Sequence, residues 1–211
     1  MAPETFKRID GFSAVSKQPS CQEERLKALQ GIYHCGYHSE RTYGATSYVI
    51  VHPEGNILVD SPRYTERLAG KIEALGGARY MFLTHRDDVG DHDKWSKRLR
   101  CDRILHSKDV EVSTADVEMQ LYGDGPWDIG THFELIHTPG HTRGSVCLFY
   151  KPLKVLFTGD HLANTPESTL TISEEYNQVS GHDRRVKYRD VQEKNSALKA
   201  FLASKIQYSM A

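Results

Sequence analysis

Little in this chain would tie it to a membrane, an oxidising compartment or a nucleic acid. No stretch approaches the run of about 18 apolar residues that a membrane-spanning helix requires. Its opening, MAPETFKRID, lacks the apolar centre of a secretory signal. Only four cysteines occur in 211 residues, Cys21, Cys35, Cys101 and Cys147, and none shares the CxxC spacing of a zinc or redox motif. A disulfide framework is therefore excluded as the organising principle, and Cys147, inside SVCLFY, reads as a core residue. Charge of one sign is also missing. With 27 basic and 28 acidic residues the net charge is -1, so no global field draws the chain to nucleic acid or an anionic membrane. The expectation is a cytoplasmic or organelle-interior protein with a small-molecule substrate, no nucleic-acid or membrane partner, and an open oligomeric state.

A hydrophobic content of 38 % is enough for one core at this length. Residues 1–30 read as a polar N-terminal extension that packs on the domain, with one helical patch in CQEERLKALQG; residues 31–211 read as the domain itself. TSYVIVH and NILVD flank a turn at Pro53-Glu54-Gly55-Asn56 and predict a hairpin. TERLAGKIEALGG carries Leu68, Ile72 and Leu75 on one helical face and stops at Gly76-Gly77. Strand YMFLTH follows, completing a β-α-β unit that delivers His85 at its C-terminal end, where α/β folds place their ligands. DKWSKRLR reads as a short helix, CDRILHSKD as strand plus turn, and residues 111–136 as strands around GDGPWDIG. GSVCLFYKPLKVLFTGDH reads as two strands joined at Lys151-Pro152-Leu153-Lys154, and VQEKNSALKAFLA as a closing helix.

Three apolar strands stop at ligand-type residues. His85, Asp87, Asp88, Asp91 and His92 lie within eight positions, His141 follows a Pro-Gly turn four residues after His137, and Asp160 follows Thr158-Gly159. One acidic loop after a strand is commonly a helix cap or a solvated turn. Three such loops share a reason if their imidazoles and carboxylates meet at one sheet edge around a catalytic metal.

THRDDVGDH, HTPGHTRGS and FTGDH, in that order and at those separations, resemble the metallo-β-lactamase fold. YHCGYHSERTYGATSYVI with NILVDSPRY is similar to the metallo-hydrolase-like branch of it found in plants and cyanobacteria. The resemblance covers about residues 31–205. It implies an α/β (α+β) four-layer αβ/βα sandwich with one or two metal ions at the edge where the sheets meet, zinc as a rule, iron or manganese as the alternative. It further implies that His85, Asp87 and His141 hold a first ion, Asp91 and His92 a second, and that Asp160 bridges them while Asp91 orients or deprotonates the attacking water. The family's first motif is HxHxDH; this chain has two extra residues and a carboxylate, Asp87, where the second imidazole stands. A register pinned on Asp91-His92 would instead move His85 out of direct contact. Exchanging imidazole for carboxylate hardens the site and shifts the expected metal toward iron or manganese.

A last ligand is implied at a histidine in a PGHG-like turn, for which His182 in SGHDRRVKY is the candidate. Only 21 residues separate it from Asp160, too few for the family's intervening helix and strand, so the fold is expected to be shortened near its C-terminus. His34 and His38 around Cys35 have poor spacing for a closed metal site. His161 reads as a residue supporting the Asp160 carboxylate, His137 as part of a turn, and the basic cluster of Arg184, Arg185, Lys187 and Arg189 as a solvated face. Two reaction classes follow. The first is a metal-dependent hydrolase in which a metal-bound hydroxide attacks an ester, thioester or related small substrate. The second is an iron-dependent oxidoreductase of the thiol or persulfide dioxygenase kind. A metal-poor member acting as a binding protein is a third reading.

Overall fold

The computed structural model describes residues 6–9, 31–153, 155–164 and 170–172. The helical patch near the N-terminus, the closing helix and His182 lie outside these residues.

A seven-stranded sheet carries the strands in the order β1-β2-β3-β4-β5-β6-β7. Its members are β1 (Lys7–Arg8), β2 (Gly31–His34), β3 (Tyr48–Val51), β4 (Ile57–Val59), β5 (Tyr80–Phe82), β6 (Asp102–His106) and β7 (Met119–Leu121). Pairing is antiparallel from β1 to β4 and parallel from β4 to β7. A four-stranded antiparallel sheet follows, from β8 (Trp127–Ile129), β9 (Phe133–His137), β10 (Val146–Tyr150) and β11 (Val155–Phe157), in the order β11-β10-β9-β8. A two-stranded ribbon of β12 (Leu162–Asn164) and β13 (Leu170–Ile172) completes the described strands.

Strand side chains alternate between faces, and in the large sheet both faces are apolar because both are covered. Val49, Val51, Leu58, Met81, Leu83 and Leu105 point to a helical layer and meet Leu68, Ile72 and Trp95. The residues between them, Ile50, Ile57, Val59, Phe82 and Ile104, point the other way and meet Phe133, Leu135, Val146, Leu148 and Tyr150 of the small sheet. Three layers of the expected sandwich are thus present, helices, sheet and sheet. The fourth falls outside the described residues.

Helix α1 (Glu66–Ala74) forms as the sequence predicts: Thr65 caps it by accepting from Leu68 N at 3.1 Å, and Leu68, Ala69 and Ile72 make its buried face. Gly76 and Gly77 both have positive φ, and Gly77 N returns to Ile72 O to close the last turn. The Asn56 amide from the β3–β4 turn donates 2.8 Å bonds to the carbonyls of Leu75 and Gly77, so the hairpin and the end of α1 fix each other. Helix α2 (His92–Leu99) buries Trp95, whose indole donates to Pro62 O at 2.7 Å. These crossovers, with β4, β5 and β6 parallel, put the C-terminal ends of the three strands along one edge. Phe6 and β1 join this body from the N-terminal side, with Phe6 stacked on Tyr33 at 5.4 Å. Cys147 is buried, as its place in SVCLFY predicts. Among the described residues no helix is long and apolar enough to cross a membrane.

Candidate metal centre

Beyond β5 the chain runs through Leu83-Thr84 to His85, whose ring is 1 % exposed. A 3₁₀ turn over Arg86–Asp88 then swings Asp87 back toward it. His141 enters from the loop that joins β9 to β10, and Asp160 from the 3₁₀ turn that follows β11. This last approach needs a glycine. Gly159 has φ 51°, and a Cβ there would collide with Oγ1 of Thr84.

The four side chains converge. His85 Nε2 lies 3.7 Å from Asp87 Oδ2 and 3.8 Å from Asp160 Oδ2, and His141 Nε2 lies 3.2 Å from the first oxygen and 3.8 Å from the second. One ligand atom each from His85, Asp87 and His141 falls within 4.8 Å of the others. Donors arranged tetrahedrally about 2.1 Å from a common centre stand about 3.4 Å apart. These four separations bracket that spacing, though the group whose ligand atoms all lie within 4.8 Å of one another leaves out Asp160. His85 Nε2 is buried and makes no hydrogen bond, an arrangement that wastes a strong polar atom unless a cation takes its lone pair.

The other nitrogen of His85 is 3.0 Å from Thr84 Oγ1, which in turn lies 2.9 Å from Asp60 Oδ1. Thr84 N also donates to that oxygen, at 2.8 Å. With the hydroxyl proton given to Asp60, Thr84 can only accept from His85 Nδ1–H, which leaves Nε2 as the lone-pair atom. Burial lowers the pKa of His85, which favours the neutral ring a metal requires. Asp60 is held at φ 56° at the end of β4, and burial pushes its carboxyl up to about 7. Asp88 is buried beside it, with Oδ2 3.9 Å from His85 Nδ1, and burial followed by the charges of Asp60 and Asp160 raises its pKa well above the usual range. Asp87 and His141 form the complementary pair: their mutual hydrogen bond lowers the acid and raises the imidazole.

A model of the metallo-β-lactamase superfamily matches residues 41–200. The chain belongs to that superfamily. Its metallo-β-lactamase sandwich is accordingly an α/β fold of mixed sheets with few helices. The probable metallo-hydrolase YqgX of Bacillus subtilis (strain 168) is 28 % identical over 112 residues, which cover 44 % of this chain and 53 % of the relative. The match therefore spans about half the length of that curated relative. Among solved structures, the BLEG-1 B3 metallo-β-lactamase aligns with a TM-score of 0.51 at 24 % identity, covering 60 % of this chain and 70 % of its own. TTHA1623 in a di-iron-bound form aligns with a TM-score of 0.51 at 21 % identity, over 76 % of this chain and 82 % of its own. At these identities both are likenesses of fold. The fold carries a divalent-metal site, and the donor chemistry gathered here is of that kind.

Within the superfamily's first motif the residues part company. Asp91 carries its carboxylate to Tyr64 N at 2.9 Å, Lys94 Nζ at 2.9 Å and Arg41 Nη1 at 3.5 Å. His92 Nδ1 lies 3.1 Å from Arg103 Nη1. Neither contributes to the group of ligand atoms formed by His85, Asp87 and His141. His137 bonds Arg143 O at 3.0 Å and stacks on His106 with ring centroids 4.5 Å apart. Asp60, Thr84 and Asp109 escape the motif reading. The signal available for the two acids was the one used for His85, a polar residue closing an apolar strand or its following turn.

Proposed function

We propose that His85, Asp87, His141 and Asp160 hold a divalent cation and that the protein is a metal-dependent hydrolase of ester, thioester or related small substrates. The observation that carries this reading is the buried Nε2 of His85, without a hydrogen bond and facing two carboxylate oxygens and a second imidazole. A divalent cation, zinc in the first instance, would supply Lewis acidity there, lowering the pKa of water toward ~7 and polarising the scissile group. Asp60 and Thr84 keep the proton of His85 on Nδ1. Asp87 and His141 are 38 % and 23 % exposed, so the side they occupy is the one a small substrate reaches. Asp91, the residue that the motif offers for orienting water, braces the loop through Tyr64 and Lys94 in this reading. The curated relative's description as a probable metallo-hydrolase supports the class.

A second reading is favoured by one observation. Two histidines with carboxylates form the donor set that, with open positions, suits non-haem iron oxygenases, and Asp87 supplies a carboxylate where the motif has an imidazole. Iron or manganese would then be the ion, and a thiol or persulfide the substrate. Elemental mass spectrometry on protein purified without added metal, with His85→Ala and Asp160→Ala alongside, tests the site. Zinc lost in both variants, with turnover of an ester or thioester panel, is the expected result. Iron with oxygen uptake on glutathione persulfide selects the second reading, and little metal of any kind defeats both in favour of a binding protein.

A further inference from the structure

Asp109 is 1 % exposed, in the 3₁₀ turn after β6, and the hydrolytic and oxidative readings leave it without a task. Its contacts are unusual for a buried acid. Oδ2 accepts from Arg86 N at 3.1 Å and from the hydroxyl of Thr142, and Oδ1 accepts from Gly144 N at 2.8 Å. Arg86 stands between His85 and Asp87, and Thr142 immediately follows His141. One carboxylate thus grips the two loops that carry three of the four converging donors, at positions 23, 33 and 35 residues away in the chain. Gly144 is shaped to this contact, because a Cβ there would stand 2.5 Å from Asp109 Cγ. Thr142 is buried and also meets Ser145 Oγ at 2.8 Å, and Ser145 Oγ accepts from Thr142 N at 3.1 Å. A backbone bond from Val146 N to Thr84 O, at 2.9 Å, ties the same two segments one residue before His85.

We infer that Asp109 is a positioning residue that sets the separation of the His85–Asp87 turn and the His141 loop, and that cation affinity depends on its carboxylate through Thr142. The inference rests on the reading of this site as a cation site. Isosteric replacement is informative here. An amide has one acceptor oxygen, so in either orientation Asp109→Asn turns an NH₂ group against a backbone N–H that the carboxylate satisfied.

The test is a titration of the 211-residue chain, stripped of metal, with Co²⁺ followed by visible absorption. Far-UV circular dichroism and the thermal midpoint of the metal-free protein are recorded beside it. The parent chain binds cobalt. Asp109→Asn and Thr142→Val, folded, bind it about 10 to 100-fold more weakly and with altered d–d bands, as expected for loss of groups that orient ligands. Thr142→Ser, which keeps the hydroxyl, restores parent affinity. Thr142→Val against Thr142→Ser decides the matter if Asp109→Asn does not fold. A lowered thermal midpoint with parent-like cobalt affinity and spectrum in both disruptive variants overturns the inference alone. A parent chain that takes up no cobalt overturns the cation site and the inference together.

Discussion

Arg103 Nη1 donates to Nδ1 of His92 across 3.1 Å, from a guanidinium that is itself 4 % exposed. A guanidinium has no acceptor, so the lone pair at Nδ1 is committed, and in a neutral ring the proton sits on Nε2. Burial, then the charge of Arg103, lowers the pKa of His92 and keeps it neutral, and the ring also bonds the backbone of Ser113. A ring in that state has no lone pair left for a metal.

His92→Ala and Asp91→Asn are therefore expected to keep metal content near that of the parent, while His85→Ala and His141→Ala lose it. The variants' metal-to-protein ratio, measured by elemental mass spectrometry after purification in parallel, checks this. Loss of metal from His92→Ala in a protein with an unchanged circular dichroism spectrum would show that the ring leaves Arg103 to bind.

Much of this site is legible in the chain because each strand stops where its apolar run stops. TSYVIVH, NILVD and YMFLTH all carry apolar residues on both pleat faces, which is what a sheet covered on both sides demands, and His85 and Asp160 follow from strand ends. What is not legible is which of several neighbouring acids turns inward. Asp87, Asp88 and Asp91 are one kind of residue within five positions, yet the 3₁₀ turn sends Asp87 to His141, buries Asp88 beside Asp60, and leaves Asp91 with Lys94. Turn geometry sorts them, and spacing alone does not encode it. Asp109 is hidden for a related reason: its partners are backbone N–H groups and a hydroxyl, which leave no mark in a pattern of ligand-type residues.

Glu118 links the same guanidinium to acid stability. Its two oxygens accept from Arg103 Nε and Nη2 at 2.9 and 2.8 Å, and that pairing lowers its pKa to about 2. A carboxylate depressed in the folded state stabilises the protein fully above its unfolded value and loses that contribution as pH falls through the folded one. The window therefore runs from about 4.5 down to about 2. Glu118→Gln is expected to cost about 1–2 kcal/mol at pH 7, discounted because Glu118 is 37 % exposed and Asp116 still pairs with Arg103. In urea unfolding at pH 7, 4 and 3 the gap between parent and variant should narrow with each step; a gap that widens on acidification contradicts the pairing.

Among the described residues Trp95 is the largest fully buried side chain, and it joins α2 to the loop after β4 through its bond to Pro62 O. Tyr64 meets it edge-on at 4.9 Å. Trp95→Phe removes the indole donor from a buried carbonyl and leaves a small void, for an expected loss of about 1.5–3 kcal/mol, and Trp95→Ala about 3–5 kcal/mol. Denaturant midpoints at constant m give both values. A Phe variant within 0.5 kcal/mol of the parent, on the order of surface substitutions, would mean that Pro62 O finds another donor.

Gly159 offers a separation of placement from chemistry, because it bears no ligand atom. At φ 51° an alanine is strained by about 1 kcal/mol or more, and its Cβ would meet the side chain of Thr84, the residue that holds His85 Nδ1. The turn carrying Asp160 must retreat or Thr84 must rotate, and either movement disturbs one edge of the proposed donor set while leaving its four side chains chemically intact. Gly159→Ala is thus expected to weaken cobalt binding about tenfold or more and to lower the thermal midpoint of the metal-free chain. If the placement of Asp160 contributes nothing to cation binding, the midpoint falls and the cobalt affinity stays at the parent value. That outcome would remove Asp160 from the site and leave His85, Asp87 and His141 as its donors.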